Sequence, residues 1–298
     1  MARTHGRLSN GGAVRFTVVV PVHNTAEHLE RCIAALRAQD YPRDQFEILM
    51  VDNNSTDGSA GILGRADGVR ALSEAKQGSY AARNRALREA RGDVLAFTDS
   101  DCAPAAGWLR ALDQALEDPR IQVVLGCRRP GRDTGLIRLL ADYENKKDEH
   151  VFASHAAEAY YGFTNNMGAR RDTFRKYGPF VERPRGADTI FVRRVVEGEG
   201  CDAVAYAPAM RIAHAEMDGV RAYYRKMFTY GRSRQLYRHI VTTRPLGTEE
   251  RVAAFRATVR DGGYSWIAAV ALAGLLAGGM AAWSLGSHSR RWSKAQPR

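Results

Sequence analysis

The feature that most constrains the fold is an alternation of apolar strands and helices that begins near residue 16. Apolar runs at 16–22, 46–51 and 93–97 lack the polar–apolar alternation of a half-buried strand. Such runs are typical of strands that are covered on both faces, as in a parallel sheet. Helices are predicted between them, over 26–38 and 79–88. This order predicts a doubly wound α/β sheet that is flanked by helices.

Polar clusters follow the three predicted strands. They are His23-Asn24, Asp52-Asn53 and Asp99-Ser100-Asp101. Because ligands of such sheets bind beyond the carboxyl ends of the strands, we expect all three clusters to face one crevice. The convergence predicts an active site.

Two carboxylates, Asp99 and Asp101, stand one residue apart at the end of the third strand. Mg²⁺ and Mn²⁺ favour carboxylate oxygens together with phosphate oxygens and water, so this pair predicts a site for a metal–diphosphate complex. The alternative is a pair of capping residues for a helix that begins near Trp108.

Two further features suggest a nucleotide site, and each has a structural alternative. Asp52 is placed to accept a ring N–H from a base, or else it caps its own turn. The helix that opens at Gly78-Ser79 and contains Arg83 offers free N–H groups to a diphosphate, or else Ser79 is a plain cap.

Five motifs stand together in an order and spacing that resemble glycosyltransferase family 2 over roughly residues 16–232. They are Val20-Pro21-Val22-His23-Asn24, Gln39-Asp40-Tyr41-Pro42, Val51-Asp52-Asn53-Asn54-Ser55-Thr56-Asp57-Gly58, Ala82-Arg83-Asn84 and Phe97-Thr98-Asp99-Ser100-Asp101. The resemblance implies a GT-A fold, which is a Rossmann-like mixed sheet flanked by helices.

The resemblance and the composition together predict how the chain is divided. The predicted parts are a flexible tail (1–13), a catalytic domain (14–218) with a nucleotide-binding half (14–110) and an acceptor half (111–218), a basic helical segment (219–262), a transmembrane helix (263–286) and a basic tail (287–298).

The resemblance also implies roles for the residues of the first motifs. Asp52 is expected to contact the uracil, Asp99 the ribose and the metal, and Asp101 the metal, which is Mg²⁺ or Mn²⁺. The other donor-binding residues that it implies are Pro21, His23, Asn24, Asn54, Arg83 and Asn166.

The second half resembles the family less closely. Asp188 stands where the family has its general base, but Ala187 replaces the glutamate that usually precedes it. Asp188 is also placed to cap a helix over 189–196, and the two roles are compatible. His214 stands where some members have a third metal ligand, and a structural histidine is the alternative.

Charge and hydropathy point to a membrane. The net charge is +11, and the segment 221–260 holds ten Lys or Arg residues against two acids. The following 23 residues, 264–286, carry no charge and have Trp266 and Trp283 near their ends. This predicts a single-pass anchor, with anionic lipid explaining the basic residues.

The orientation of this segment stays open between a span, an in-plane helix and a helix packed on the enzyme. Its Gly274 and Gly278 spacing is a weak signal for a homodimer. The run 16–22 is too short for a signal peptide, so we expect the catalytic domain on the cytoplasmic face of the membrane.

The leading interpretation is metal-dependent, inverting transfer of a sugar, from a UDP-sugar by resemblance, to a hydroxyl of a lipid-linked or polysaccharide acceptor. A nucleotidyltransferase and a non-catalytic nucleotide-sugar-binding protein are the alternatives. The first strand is not followed by GxGxxG, which disfavours a dehydrogenase. Nucleic acid is not expected as a partner, and the mixed-charge stretch 142–149 is expected to form a solvated helix face.

Overall fold

The computed structural model describes residues 14–132, 135–215, 217–237 and 239–289. The predicted tail 1–13 and the last nine residues of the predicted basic tail, 290–298, lie outside the described residues.

Strands and helices alternate through the first hundred residues, as the apolar pattern predicts. The strands are β1 (Phe16–Val22), β2 (Phe46–Asp52), β3 (Arg70–Ser73), β4 (Val94–Thr98), β5 (Cys102–Pro104), β6 (Val123–Pro130), β7 (Asn166–Arg170) and β8 (Val204–His214). The α-helices are α1 (Ala26–Arg37), α2 (Ser59–Gly64), α3 (Ser79–Glu89), α4 (Trp108–Ala115), α5 (Gly135–Ala153), α6 (Arg171–Tyr177), α7 (Ala187–Glu199), α8 (Val220–Tyr237), α9 (Thr248–Asp261) and α10 (Trp266–His288).

All eight strands form one sheet in the order β3-β2-β1-β4-β7-β6-β8-β5. The first four are parallel neighbours. β7 runs antiparallel to both β4 and β6, β8 runs parallel to β6, and β5 runs antiparallel to β8. The α/β class and the mixed sheet are therefore confirmed, and the parallel part carries the three polar strand ends.

Apolar side chains cover both faces of the sheet. Successive residues of β1 and β2 enter two different clusters, so that Val19 and Leu49 pack on one face while Val18 and Ile48 pack on the other. Because both faces of these strands are buried, their sequences are continuous apolar runs without polar residues at alternate positions.

The mixed-charge stretch on α5 corrects one expectation, because its inner side is not solvated. Asp148 is fully buried and accepts a hydrogen bond from Arg128 at 2.6 Å. Tyr161 donates to the other oxygen of the same carboxylate, and Lys147 pairs with Glu144. A charged residue can be buried when its partner is buried with it, which a sequence pattern does not reveal.

The three C-terminal helices pack together on α5. α10 lies against α8, and a Cβ built on Gly231 or Gly286 would lie 2.0 Å from a carbonyl oxygen of the other helix. The contacts Tyr223–Gly279 and Phe228–Gly286 advance together along both helices, so the two run side by side in the same direction. α10 is long and apolar enough to cross a membrane, by its 23 residues and mean hydropathy of 1.8.

Candidate active site

The loops after β1 and β2 are tied together by their own polar side chains. His23 Nδ1 lies 2.9 Å from the carbonyl oxygen of Asn53. The Asn53 side chain accepts from Gly78 N at 2.7 Å and donates to the carbonyls of Glu74 and Lys76. The start of α3 is thereby fixed beside two strand ends, which places its N-terminal N–H groups at the crevice.

Asn24 and Asn54 both adopt a left-handed backbone, with φ of 50° and 65°. Asparagine tolerates this conformation better than most residues do. Asn24 Oδ1 accepts from Thr56 N at 2.7 Å, and Asn54 Nδ2 donates to Ala75 O at 3.0 Å. Both side chains therefore shape the loops after β1 and β2, and both remain exposed at the edge of the crevice.

Asp52 ends β2 and is half-buried. Ser55 N lies 3.4 Å from Asp52 Oδ1, a long contact that gives the turn-capping alternative little support. Pro21 is buried in β1, where its register neighbour is Val51, so it forms part of the wall behind this carboxylate.

Arg83 links two parts of the crevice. It is 3% exposed, and its guanidinium pairs with the carboxylate of Asp99, which is one-third exposed. The charge of Arg83 also acts on Asp188, where it opposes the upward shift of the pKa that burial causes. Arg83 therefore pairs with one carboxylate and acts through its charge on the other, the two that the resemblance assigned to donor binding and to base catalysis.

Asp101 meets His214 across the β5–β8 ladder. His214 Nε2 lies 3.7 Å from Asp101 Oδ2, and Cys102 Sγ lies 3.5 Å from Asp101 Oδ1. Burial lowers the pKa of His214 well below its usual value, with Lys226 and Arg128 adding to the effect. The lowered pKa favours the neutral imidazole, which is the form that ligates metals.

This cluster has ligand atoms within 4.8 Å of one another, close enough for one ion. A carboxylate and an imidazole suit Mn²⁺, and Mg²⁺ accepts the carboxylate with phosphate oxygens and water. His214 Nδ1 is buried without a hydrogen-bond partner, so no bond within the described residues holds the ring in place. The residues present fit a divalent cation at Asp101 and His214, while Asp99 is engaged by Arg83 instead.

The helix-capping alternatives do not hold. α4 begins at Trp108 with Gly107 at its N-cap, so Asp99 and Asp101 do not cap it. α7 begins at Ala187 with Gly186 at its N-cap, so Asp188 lies inside the first turn.

Asp188 is held by backbone donors from two segments. Its Oδ1 accepts from Thr189 N at 2.9 Å, and its Oδ2 lies 3.4 Å from Thr164 N. Burial nevertheless raises the pKa of Asp188, and the neighbouring Tyr80 hydroxyl acts on it in the opposite direction. A carboxylate with a raised pKa is a better proton acceptor than an exposed one. Ala187 is fully buried in the core beside it.

Asn166, which the resemblance implies as a donor-binding residue, uses its side chain for bonds within the protein. It is fully buried, and its Nδ2 donates to Cys127 O at 2.9 Å and to Met210 O at 2.8 Å. Its Oδ1 accepts from Trp108 Nε1 at 2.8 Å. These bonds join β7 to β6, β8 and α4, so the side chain is a structural link within the sheet.

Three contributors at the site were not singled out from the sequence. Tyr80 reaches Asp188, Cys102 joins the Asp101–His214 pair, and Lys226 on α8 acts on His214. Cys102 directly follows Asp101, so its position was visible. Tyr80 and Lys226 carry no local signal, because only the tertiary fold brings them here.

Comparisons with known proteins point to one family. A family model described as Glycosyl transferase family 2 matches residues 17–178. Glycosyltransferase AglE of Haloferax volcanii is 30% identical over 190 residues, which are 61% of this chain and 61% of that protein. The chain thus spans about three fifths of that relative's length.

Two solved structures show the same fold. The mannosyltransferase PcManGT from Pyrobaculum calidifontis, in complex with GDP-Man and Mn²⁺, has a TM-score of 0.62 at 21% identity, and the match covers 94% of this chain and 88% of that one. Glucosyl-3-phosphoglycerate synthase from Mycobacterium tuberculosis, in complex with Mn²⁺, UDP-glucose and phosphoglyceric acid, has a TM-score of 0.51 at 21% identity, covering 67% of this chain and 71% of that one.

Proposed function

This chain belongs to glycosyl transferase family 2, and we propose that it transfers a sugar from a nucleotide-sugar donor to a hydroxyl group of a lipid-linked or polysaccharide acceptor. The observation that carries the proposal is the meeting of Asp101 and His214 at the edge where three parallel strands end. Asp188 is linked to the same edge through Arg83 and Asp99. Within the described residues, no observation specifically favours either alternative, a nucleotidyltransferase or a protein that only binds nucleotide-sugars.

The donor nucleotide occupies the half of the crevice that the ends of β1, β2 and β4 form. Asp52 accepts a hydrogen bond from the base, and uracil is the base that the family resemblance favours. His23, Asn24 and Asn54 shape the surrounding loops through the hydrogen bonds described above. The structures of similar fold hold GDP-mannose or UDP-glucose, so both bases belong in a test.

Asp101 and His214 would hold Mn²⁺ or Mg²⁺. When bound there, the ion would neutralise the charge that develops on a departing diphosphate. Structures of similar fold contain Mn²⁺ with a nucleotide-sugar. Asp99 stays paired with Arg83 on the same strand end, where the resemblance implies a contact with the ribose.

Asp188 is the general base of an inverting reaction. Its carboxylate removes the proton of the acceptor hydroxyl as that oxygen attacks the anomeric carbon. Thr189 N and Thr164 N orient the carboxylate without neutralising it. The raised pKa of Asp188 keeps its proton affinity above that of an ordinary aspartate.

The experiment that tests this function uses purified protein, Mn²⁺ and a panel of UDP- and GDP-sugars, with release of nucleoside diphosphate as the readout. A single preferred donor that is turned over faster with a lipid-linked acceptor supports the proposal. Release of pyrophosphate from a nucleoside triphosphate and a sugar phosphate instead, with none from any nucleotide-sugar, identifies a nucleotidyltransferase and rejects it.

α10 attaches the enzyme to a membrane. One side of this helix is exposed along its whole length and is almost entirely apolar, including Trp266, Ile267, Val270, Met280 and Leu285. The other side packs on α5 and α8. An apolar stripe of this kind, next to a basic segment, fits an anionic lipid surface.

The packing favours an in-plane orientation over the predicted single-pass span. α8 lies beside the C-terminal half of α10 and carries Arg225 and Lys226 at that level. A span would draw these charges toward the bilayer centre, at about 2.5–3.5 kcal/mol each. Gly278 contacts Tyr224 within the chain, so the Gly274–Gly278 pair does not offer a free dimer face.

Flotation with vesicles that contain anionic lipid tests the attachment. Serine at the exposed positions 266, 267 and 270 should release the protein, whereas Val252→Ser on α9, also exposed, should not. A tag at the C-terminus, labelled from one side of a sealed membrane, tests the orientation. Labelling from the cytoplasmic side supports an in-plane helix. Labelling only from the opposite side supports the single-pass span instead.

A further inference from the structure

α8 presents one face to the catalytic domain and another to α10. Tyr223, Lys226, Tyr230 and Ser233 follow the spacing i, i+3, i+7 and i+10 of a single helix face. Tyr223 Oη donates to Glu144 on α5 at 3.4 Å, and Ser233 is 5% exposed. α8 therefore lies between α5 and the lipid-facing α10, and Tyr223, which also borders Gly279 of α10, marks the edge of the face that is turned inward.

The start of α8 is tied to the metal-ligand pair. Ala215 N donates to Asp101 O at 3.0 Å, and Met217 N donates to His214 O at 3.3 Å. α8 begins at Val220, six residues after His214. The short connection places the first two turns of the helix next to the Asp101–His214 cluster.

Lys226 lies on this inward face in the second turn and is half-buried. Within the part of the chain that the structure describes, its ammonium has no hydrogen bond and no ion pair. Other cations near the site are paired, since Arg83 meets Asp99 and Arg128 meets Asp148. A half-buried ammonium without a partner in the protein is available to an anion that arrives from outside.

The surroundings of His214 agree with a missing anion. Nδ1 of this buried ring has no hydrogen-bond partner among the described residues, and the charges of Lys226 and Arg128 both act on the ring. Positive charge next to carboxylates that suit a divalent metal is an arrangement that binds a diphosphate, because metal and cation together balance its charge.

We propose that Lys226 binds the β-phosphate of the nucleoside diphosphate at this site. The inference rests on the proposed function and adds α8 to the donor site. When the acceptor oxygen bonds to the anomeric carbon, the bond from that carbon to the β-phosphate oxygen breaks, and its electron pair stays on the diphosphate. The acceptor proton passes to Asp188, and the ammonium donates a hydrogen bond to the departing β-phosphate.

The test compares Lys226→Gln with Arg225→Gln in the full-length protein. Arg225 is the neighbouring residue, exposed and directed away from the inward face, so its loss is a matched control for charge. Calorimetry measures the Kd of UDP or GDP, whichever wild type binds, at saturating Mn²⁺. Lys226→Gln should weaken binding by about 10- to 100-fold, as expected for a hydrogen bond to a charged group. Arg225→Gln should keep the wild-type Kd.

Two further measurements locate the contact. Lys226→Arg should restore most of the affinity. The nucleoside monophosphate of the same base lacks the β-phosphate, so its Kd should be the same for wild type and Lys226→Gln.

Three results would overturn the inference. The first is an unchanged diphosphate Kd for Lys226→Gln while wild type binds tightly, which leaves the proposed function intact. The second is equal weakening of the monophosphate. The third is a raised KM for a phosphorylated acceptor alone, which would assign Lys226 to the acceptor. If wild type binds no nucleoside diphosphate at all, the proposed function fails and this inference fails with it.

Discussion

The two sides of the crevice differ in how well their polar groups are satisfied. On the donor side, His23, Asn24 and Asn54 are each hydrogen-bonded within the protein. On the other side, Asp188 has a raised pKa and His214 Nδ1 lacks a partner. Polar side chains that are already hydrogen-bonded within the protein fix the shape of a site. Polar side chains that lack such partners, or whose pKa is shifted, are available to react or to bind a ligand. We therefore interpret the proposed donor side as a rigid frame and the second half as the source of the proposed reactive groups.

The largest expected effect comes from the point where the two sides meet. Asp101→Ala removes the carboxylate that pairs with His214. Because a metal ion contributes several kcal/mol to transition-state stabilisation, we expect donor turnover to fall by about 10³-fold or more. Turnover is measured as nucleoside diphosphate release during a Mn²⁺ titration. Asp172→Ala, at an exposed carboxylate on α6, is the control and should be unaffected. Equal activity of the two variants would contradict the proposal that Asp101 binds a catalytic metal ion.

Asp188→Asn should separate chemistry from binding. The amide keeps the shape but cannot accept the proton, so kcat should fall by about 10²- to 10⁴-fold while donor Kd stays constant. Because burial raises the pKa of Asp188, the acid limb of the wild-type kcat profile should lie above the ordinary aspartate value of 3.8. A variant that loses donor affinity and keeps kcat would place Asp188 in the frame instead.

Asn166→Leu tests the opposite case, a polar residue that belongs to the frame alone. The substitution leaves Trp108 Nε1 and two carbonyls without partners in a buried site. We expect the free energy of unfolding to drop by roughly 2–4 kcal/mol, measured by urea denaturation, with donor KM unchanged in the folded fraction. Normal stability with weakened donor binding would return Asn166 to the donor site.

The smallest effect is a gain in stability from Asp188→Asn. A raised folded-state pKa means that the charged carboxylate disfavours folding above that pKa, and that no penalty exists below the unfolded value, where both states are protonated. At pH 7 the variant should therefore have a higher Tm than wild type, and the difference should vanish as the pH falls toward 3.8. A lower Tm of the variant at pH 7 would show that the charged form is stabilised by the fold.

The difference between the two sides of the crevice also explains which features could be predicted from the sequence. The donor side is built from neighbouring strands whose buried runs and polar ends are visible locally, so β1, β2 and β4 and the placement of Asp52, Asp99 and Asp101 follow from the pattern. The short strands β3 and β5, of four and three residues, leave too little periodicity to detect.

The second half could not be read in the same way, because its contacts join distant residues. Asn166 matches a family position, yet only the tertiary structure shows that neighbours on β6, β8 and α4 occupy its amide. The buried pair of Arg128 and Asp148 looks like ordinary surface charge in the sequence. The inward face of α8 could not be predicted, because the basic residues of this segment suggest contact with a membrane instead.

The most direct test of the account measures nucleoside diphosphate release by wild-type enzyme that has been stripped with EDTA and titrated with Mn²⁺. If Asp101 and His214 join the two sides through a metal, release of the preferred donor's diphosphate should be absent without Mn²⁺ and should return along a saturable curve. His214→Ala should move that curve to higher Mn²⁺ concentrations. Full release in EDTA, unchanged by added Mn²⁺, would contradict the account.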